Sequence, residues 1–366
     1  MAKVRVLIVD DSALIRKVLT EILSSDPDIE VVGTANDPYI ARDKIKMLTP
    51  DVITLDVEMP KMDGISFLKN LMRLRPMPVV MISTLTDAGA AVTLQALELG
   101  AIDYVPKPKI DVNVAIKEYS NEIIEKVKVA AAVPHEFLVR KYESASEEAK
   151  NDNGAVDHVL TNDRSPEKFL NTTDKIIAIG SSTGGTEAVK QLLMGLPVDV
   201  PGIVVTQHIP VAFSKPFADR LNKLLPLTVT EAVNGDLIVP GKVYIAPGDK
   251  QLLVRKSGAK YFCKVEDGEF VNRHKPSVEV LFKSVAQCAG PNALGIMLTG
   301  MGSDGAEGML EMKKHGALNI AQDEKSSVVW GMPGAAVKAG AVDKVLPLNM
   351  IADEIIDYCK RKLISN

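Results

Sequence analysis

The chain has 366 residues but only three cysteines, Cys263, Cys288 and Cys359, too few and too scattered for a disulfide framework or a zinc site. No stretch approaches the roughly 18 uninterrupted apolar residues that a membrane span needs, so direct insertion into a bilayer is not expected. Excess positive charge is missing too: 43 Lys and Arg stand against 47 Asp and Glu, for a formal net charge of −4. Nucleic-acid binding needs a clustered basic face and finds no support in that balance. The N-terminus, MAKVRVLIVDDS, runs into two acids where a secretory signal needs a longer apolar region. A cytoplasmic protein without a nucleic-acid partner is expected.

What is present is an ordinary globular balance, 46% hydrophobic and 25% charged, which rules out disorder as the dominant state. At about 150 residues per domain, the length suggests two domains. Apolar, β-branched runs at residues 4–9, 30–34, 52–55, 79–82 and 104–105 alternate with amphipathic stretches such as 38–48. Alternation at this spacing predicts a parallel sheet covered on both faces. From about residue 130 to 173, acid, base, Ser and Asn are mixed and no apolar period is sustained, as in a tether. A second alternating series follows, with strands expected at 176–179, 202–206, 242–246 and 293–298. Helices are expected at 187–194, 215–224, 277–288 and 350–362. A hairpin is expected within 252–271, where Gly258 and Gly268 separate short β-like runs. The expected organisation is α/β, with two doubly wound parallel-sheet domains, 1–125 and 173–366, joined by a linker over 126–172.

Asp10 and Asp11 close the first expected strand and Asp56 closes the third. In an open parallel sheet, ligands bind outside the carboxyl ends of strands near a topological switch point. Three carboxylates gathered there repel one another unless a divalent cation compensates, and an oxygen-only donor set suits magnesium. Ser83 and Lys107 close later strands. A hydroxyl, an ammonium and magnesium together would stabilise a phosphoryl group transferred to a carboxylate. The Lys107–Pro108 bond is a candidate cis peptide.

The strand KIIAIG ends in GSSTGG and passes directly into a helical pattern. Residues 180–184 fit G-x-S-x-G, with Ser182 central in a tight strand-to-helix turn. Glycine-rich turns of this kind also cradle phosphates, and Ser181 supplies a second hydroxyl beside the first. A hydroxyl nucleophile needs a base. His208 ends the strand GIVVTQH on the same sheet edge, while His274, in NRHKPS, is a rival. Asp304, in MGSDG, lies beyond a third strand end and could orient an imidazole or cap the helix that follows. Backbone N–H groups of that turn, such as that of Met301, could stabilise an oxyanion. The chain order Ser, His, Asp matches neither the α/β-hydrolases nor either protease order.

Several blocks carry a resemblance. VRVLIVDDS, DVITLDVEMPKMDG, PVVMIS and DYVPKP resemble the signature blocks of two-component receiver domains. That resemblance implies a flavodoxin-like domain with Asp56 as phosphoacceptor and Asp10, Asp11 and Asp56 as the magnesium site. Ser83 and Lys107 would contact the phosphoryl group. AIGSSTGGTEAV, VVTQHIP, RHKPSVEVLF and LTGMGSDGAEGM resemble the motif blocks of the chemotaxis protein-glutamate methylesterase (CheB) family. This second resemblance implies a Rossmann-like catalytic domain with the triad Ser182, His208 and Asp304, and with Thr183 and Met301 beside it. The stretch 273–277 would lie near the substrate entrance. The implied substrates are methyl esters on the cytoplasmic domains of chemoreceptors, and the implied phosphodonor is a chemotaxis histidine kinase. Deamidation of receptor glutamine is implied as well, since the amide and the methyl ester are nearly isosteric. No metal is needed for the esterase reaction, and a monomer is expected.

Overall fold

In the computed structural model the described residues are 2–84, 86–107, 115–139 and 174–360. They form two compact units, one on each side of residues 140–173. Most of the expected linker, and Pro108 of the candidate cis peptide, lie outside the described residues.

The first unit alternates strand and helix: β1 (Val4–Val9), α1 (Ala13–Ser24), β2 (Ile29–Ala35), α2 (Pro38–Leu48), β3 (Val52–Asp56), α3 (Gly64–Leu74), β4 (Val79–Ser83), α4 (Asp87–Glu98), β5 (Asp103–Pro106) and α5 (Ala115–Ala131). All pairings are parallel, in the order β2-β1-β3-β4-β5. Every residue of β3 and β4 is buried, as helices on both faces require. Side-chain oxygens of Ser12, Asp37 and Asp63 cap α1, α2 and α3. The helix α5 runs past the boundary expected at residue 125, because the buried stripe Ile123, Val127 and Ala130 continues at helical spacing. Residues 126–131 are therefore helix rather than linker. The chain departs from β1 first to β2 on one side and then to β3 on the other. That switch point leaves a crevice at the carboxyl ends of β1 and β3.

The second unit contains β6 (Ile176–Ser181), α6 (Gly185–Met194), β7 (Gly202–Gln207), α7 (Val211–Leu224), β8 (Thr228–Glu231), β9 (Lys242–Ile245), β10 (Gln251–Ser257), β11 (Lys260–Glu266), α8 (Val278–Ala289), β12 (Ala293–Met297), α9 (Ala306–Lys314), β13 (Leu318–Gln322), α10 (Met332–Lys338), β14 (Lys344–Leu346) and α11 (Leu348–Lys360). Its parallel seven-stranded sheet has the order β14-β13-β12-β6-β7-β9-β8. The strands β10 and β11 form a separate antiparallel hairpin around Gly258, within the span expected for one. The hairpin and α8 share a core in which Leu252, Val254 and Cys263 meet Leu281, Phe282 and Val285. Each fully buried Leu, Val or Phe side chain of this kind contributes about 1.5–3 kcal/mol, which holds α8 against the hairpin. Here the switch point lies at β6, which has β7 on one side and β12 on the other.

Candidate active site and phosphoacceptor site

In the first unit, Asp10 follows β1 and Asp56 ends β3, both essentially inaccessible, while Asp11 is exposed. One carboxylate oxygen from each lies within 4.8 Å of the others. Lys107 reaches them with Nζ 2.8 Å from Asp56 Oδ2 and 3.7 Å from Asp10 Oδ2. Burial pushes the Asp56 carboxyl up to about 6, helped by the Asp10 charge, although the Lys107 hydrogen bond and charge pull the other way. Burial raises Asp10 as well, and among the described residues its Oδ2 has no hydrogen-bond partner, only the Lys107 charge at 3.7 Å. A buried carboxylate oxygen without a hydrogen bond, beside two other carboxylates, is the donor set a hard divalent cation fits. Arg16, which sequence reasoning passed over, braces the turn by donating to the Asp10 and Asp11 carbonyls at 2.8 Å each. Ser83 ends β4 at the same sheet edge, fully buried, and its Oγ lies 3.3 Å from the Thr84 carbonyl. Its Oγ accepts from Thr93 Oγ1 at 2.7 Å and lies 3.4 Å from the Gly89 carbonyl.

In the second unit, the β6–β7 ladder ends where the His208 N–H donates to the Ser181 carbonyl at 3.1 Å. Ser182 and His208 therefore leave adjacent strands side by side. The two neighbouring hydroxyls differ in surroundings. Ser181 is fully buried and donates to Gln207 Oε1 at 2.6 Å, whereas Ser182 is partly accessible. The Ser182 N–H donates to the Thr299 carbonyl, and Gly300 lies against it: a Cβ at Gly300 would stand 2.8 Å from Ser182 Cβ. Only glycine lets the two turns approach so closely. Among the described residues, no backbone acceptor takes the Met301 N–H in the same turn.

Asp304 is 2% exposed and lies 2.8 Å from His208 Nε2 through its Oδ2. Its carboxylate also accepts from Asn272 Nδ2 and Ser277 Oγ at 2.8 Å, and from the Val278 N–H at 2.7 Å. Burial alone would raise this group. The His208 bond and charge, with the Asn272 and Ser277 bonds, overcome it and hold Asp304 at about 2. The carboxylate does cap a helix, but the helix is α8 and not the α9 that follows it in sequence. Because Asp304 is ionised and accepts at Nε2, the neutral imidazole places its proton there. The other ring nitrogen, Nδ1, is buried and has no hydrogen-bond partner among the described residues. His274 does not displace His208. Its ring lies flat on the His208 ring, with centroids 3.6 Å apart and planes 9° apart. Sequence reasoning did not pair Asn272 and Ser277 with Asp304, although Asn272 precedes RHKPS and Ser277 ends it, and it gave no role to Gln207 or Thr299 within their motif blocks. Thr183 is buried beside Ser182, and Thr299 Oγ1 donates to its carbonyl at 3.0 Å. Burial pushes the thiols up, Cys263 to about 12 and Cys359 to about 11, with Cys288 raised as well, so none is favoured as a thiolate.

The sequence profile of the CheB methylesterase domain matches residues 177–355, and that of the response regulator receiver domain matches residues 6–117. A protein-glutamate methylesterase/protein-glutamine glutaminase of Hydrogenovibrio crunogenus is 54% identical over 376 aligned positions, covering 99% of this chain and 100% of that relative. The chain belongs to this methylesterase family. A relative with the same activities from Hahella chejuensis is 57% identical over 351 positions, covering 96% of this chain and 95% of its own. The crystal structure of the Thermotoga maritima CheB methylesterase catalytic domain shares 38% identity with a TM-score of 0.49, covering 50% of this chain and 98% of that one. The family assignment accounts for both units of the fold, the receiver and the methylesterase domain.

Proposed function

We propose that the chain is a phosphorylation-gated hydrolase that removes methyl esters from glutamate side chains of chemoreceptor cytoplasmic domains and deamidates receptor glutamines. One observation carries this reading. Asp304 holds the His208 ring by Nε2, leaving Nδ1 unpaired on the edge where Ser182 stands accessible. The family membership of the whole chain supports the same reading.

In the proposed reaction, Ser182 Oγ attacks the ester carbonyl carbon while His208 Nδ1 takes its proton. The carbonyl oxygen gains the negative charge and is stabilised by the Met301 N–H. The bond to methoxide then breaks, and His208 returns the proton so that methanol leaves. Water attacks the glutamyl–serine ester with His208 again as base, which releases the glutamate carboxylate and restores Ser182. For glutamine the leaving group is ammonia.

In the receiver unit, Asp56 accepts a phosphoryl group from a chemotaxis histidine kinase. Asp10, Asp11 and Asp56 would hold magnesium, which supplies neutralising charge to the phosphoryl oxygens when bound. Lys107 stands ready to pair with the same oxygens. To donate to a phosphoryl oxygen, Ser83 must turn its O–H away from the Thr84 and Gly89 carbonyls. A cytoplasmic location, without nucleic-acid partners, completes the proposal.

The test follows methanol release from membranes carrying methylated receptors, alongside ammonia release from receptors with glutamine at the same position. Both should fall to background in Ser182→Ala. Undiminished release of either product by that variant would overturn the reading.

A further inference from the structure

Ser181 is the hydroxyl that the proposed mechanism leaves idle, and its surroundings suggest a role. It ends β6 fully buried and donates to Gln207 Oε1 at 2.6 Å. Gln207 ends β7, is 4% exposed, and passes the connection onward. Its Nε2 donates to the Ser182 carbonyl at 2.9 Å and to the His208 carbonyl at 3.2 Å. The two ends of an amide have nearly the same shape and opposite hydrogen-bonding sense. A donor hydroxyl on Oε1 therefore aims the NH2 group at the two carbonyls. The fold keeps space for this arrangement: a Cβ at Gly185 would stand 2.2 Å from Gln207 Oε1 and 2.9 Å from Ser181 Oγ.

We infer that Ser181 and Gln207 form a buried positioning relay that sets the spacing of the Ser182 hydroxyl and the His208 ring. The inference rests on the proposed roles of Ser182 and His208. The last backbone bond between β6 and β7 is that from His208 N–H to the Ser181 carbonyl. Beyond it, the Gln207 side chain does the work of a further rung, gripping the backbone of both the nucleophile and the base. Both relay residues are buried, at 0% and 4% exposure, so the relay acts on the geometry of attack and not on receptor binding.

The test measures kcat and KM for methanol release by the full chain, with acetyl phosphate and magnesium, together with Tm. The variants are Gln207→Leu, Gln207→Glu, Ser181→Ala and the double variant Ser181→Ala/Gln207→Leu, with Ser182→Ala as control. Gln207→Leu should lower kcat by about ten- to a hundredfold and leave KM unchanged. Ser181→Ala should lower it less, and the double variant should match Gln207→Leu alone, because Ser181 acts through the amide. Gln207→Glu sets a carboxylate oxygen against two carbonyls. Its deficit should shrink as pH falls and the carboxyl gains a proton to donate, while the Gln207→Leu deficit stays constant with pH. Additive losses, a loss expressed in KM, or wild-type kcat in Gln207→Leu would overturn the relay. Should Gln207→Leu not fold, the pH profile of Gln207→Glu and the double variant Ser181→Ala/Gln207→Glu decide the matter. Release surviving in Ser182→Ala would instead count against the proposed nucleophile, a separate failure.

Discussion

Asp304 receives hydrogen bonds from the His208 ring, the Asn272 amide, the Ser277 hydroxyl and the first two N–H groups of α8. Those donors lower a carboxyl that burial would otherwise raise. A lowered folded-state value means stability that is present above the unfolded value of 3.8 and lost as pH falls toward about 2. The loss over that window is about 2 kcal/mol. Asp304→Asn should lack this component, so urea unfolding at pH 5 and at pH 2.5 should show a smaller difference for the variant than for wild type. Equal differences would contradict the assignment. The same variant leaves an amide where the imidazole needs a carboxylate, and kcat should fall by about a thousandfold or more. At this scale the sequence was informative about residue types and poor about partners. Ser182 and His208 follow the ends of two strand patterns and Asp304 lies in the turn beyond a third, which placed them on one edge. Asn272 and Ser277 sit in an irregular segment whose contacts no periodicity encodes, and Ser181 differs from Ser182 only through burial.

Among the elements, strands buried on both faces were the most legible. The apolar runs at β1, β3, β6, β7 and β12 were read almost to the residue because helices cover both sheet faces. The short β8, with one buried residue in its four, carries no such run and was not foreseen. The helix α7 begins at Val211, earlier than expected, and runs through Pro216 in its second turn; the ring removes one backbone hydrogen bond there, while Phe213, Phe217, Ala218 and Leu221 bury one face of the helix. Between elements, contact depends on what is missing. At Gly300 a methyl group would meet both Ser182 Cβ at 2.8 Å and Met332 Sδ at 2.5 Å. Gly300→Ala should therefore push the two catalytic turns apart, lowering kcat about a hundredfold with a smaller change in Tm. Wild-type turnover in this variant would show that the approach of the turns is not needed.

For the whole molecule, the receiver and methylesterase units each carry their own sheet and core, so a chain beginning at residue 174 should fold alone. If the unphosphorylated receiver restrains the hydrolase, that shortened chain should release methanol faster than unphosphorylated full-length protein and ignore phosphodonor. Equal rates would remove the restraint from the account. In the proposed reading the domain order favours such coupling, because tethering makes even weak docking significant.

In the proposed function the state of Asp56 controls chemistry at Ser182, and methanol release reads both residues at once. Methanol release from methylated receptor membranes is followed for wild type, Asp56→Asn and Ser182→Ala, each with and without acetyl phosphate and magnesium. The account predicts stimulation in wild type alone, a basal rate unmoved by phosphodonor in Asp56→Asn, and background release in Ser182→Ala. Equal stimulation of wild type and Asp56→Asn would contradict it.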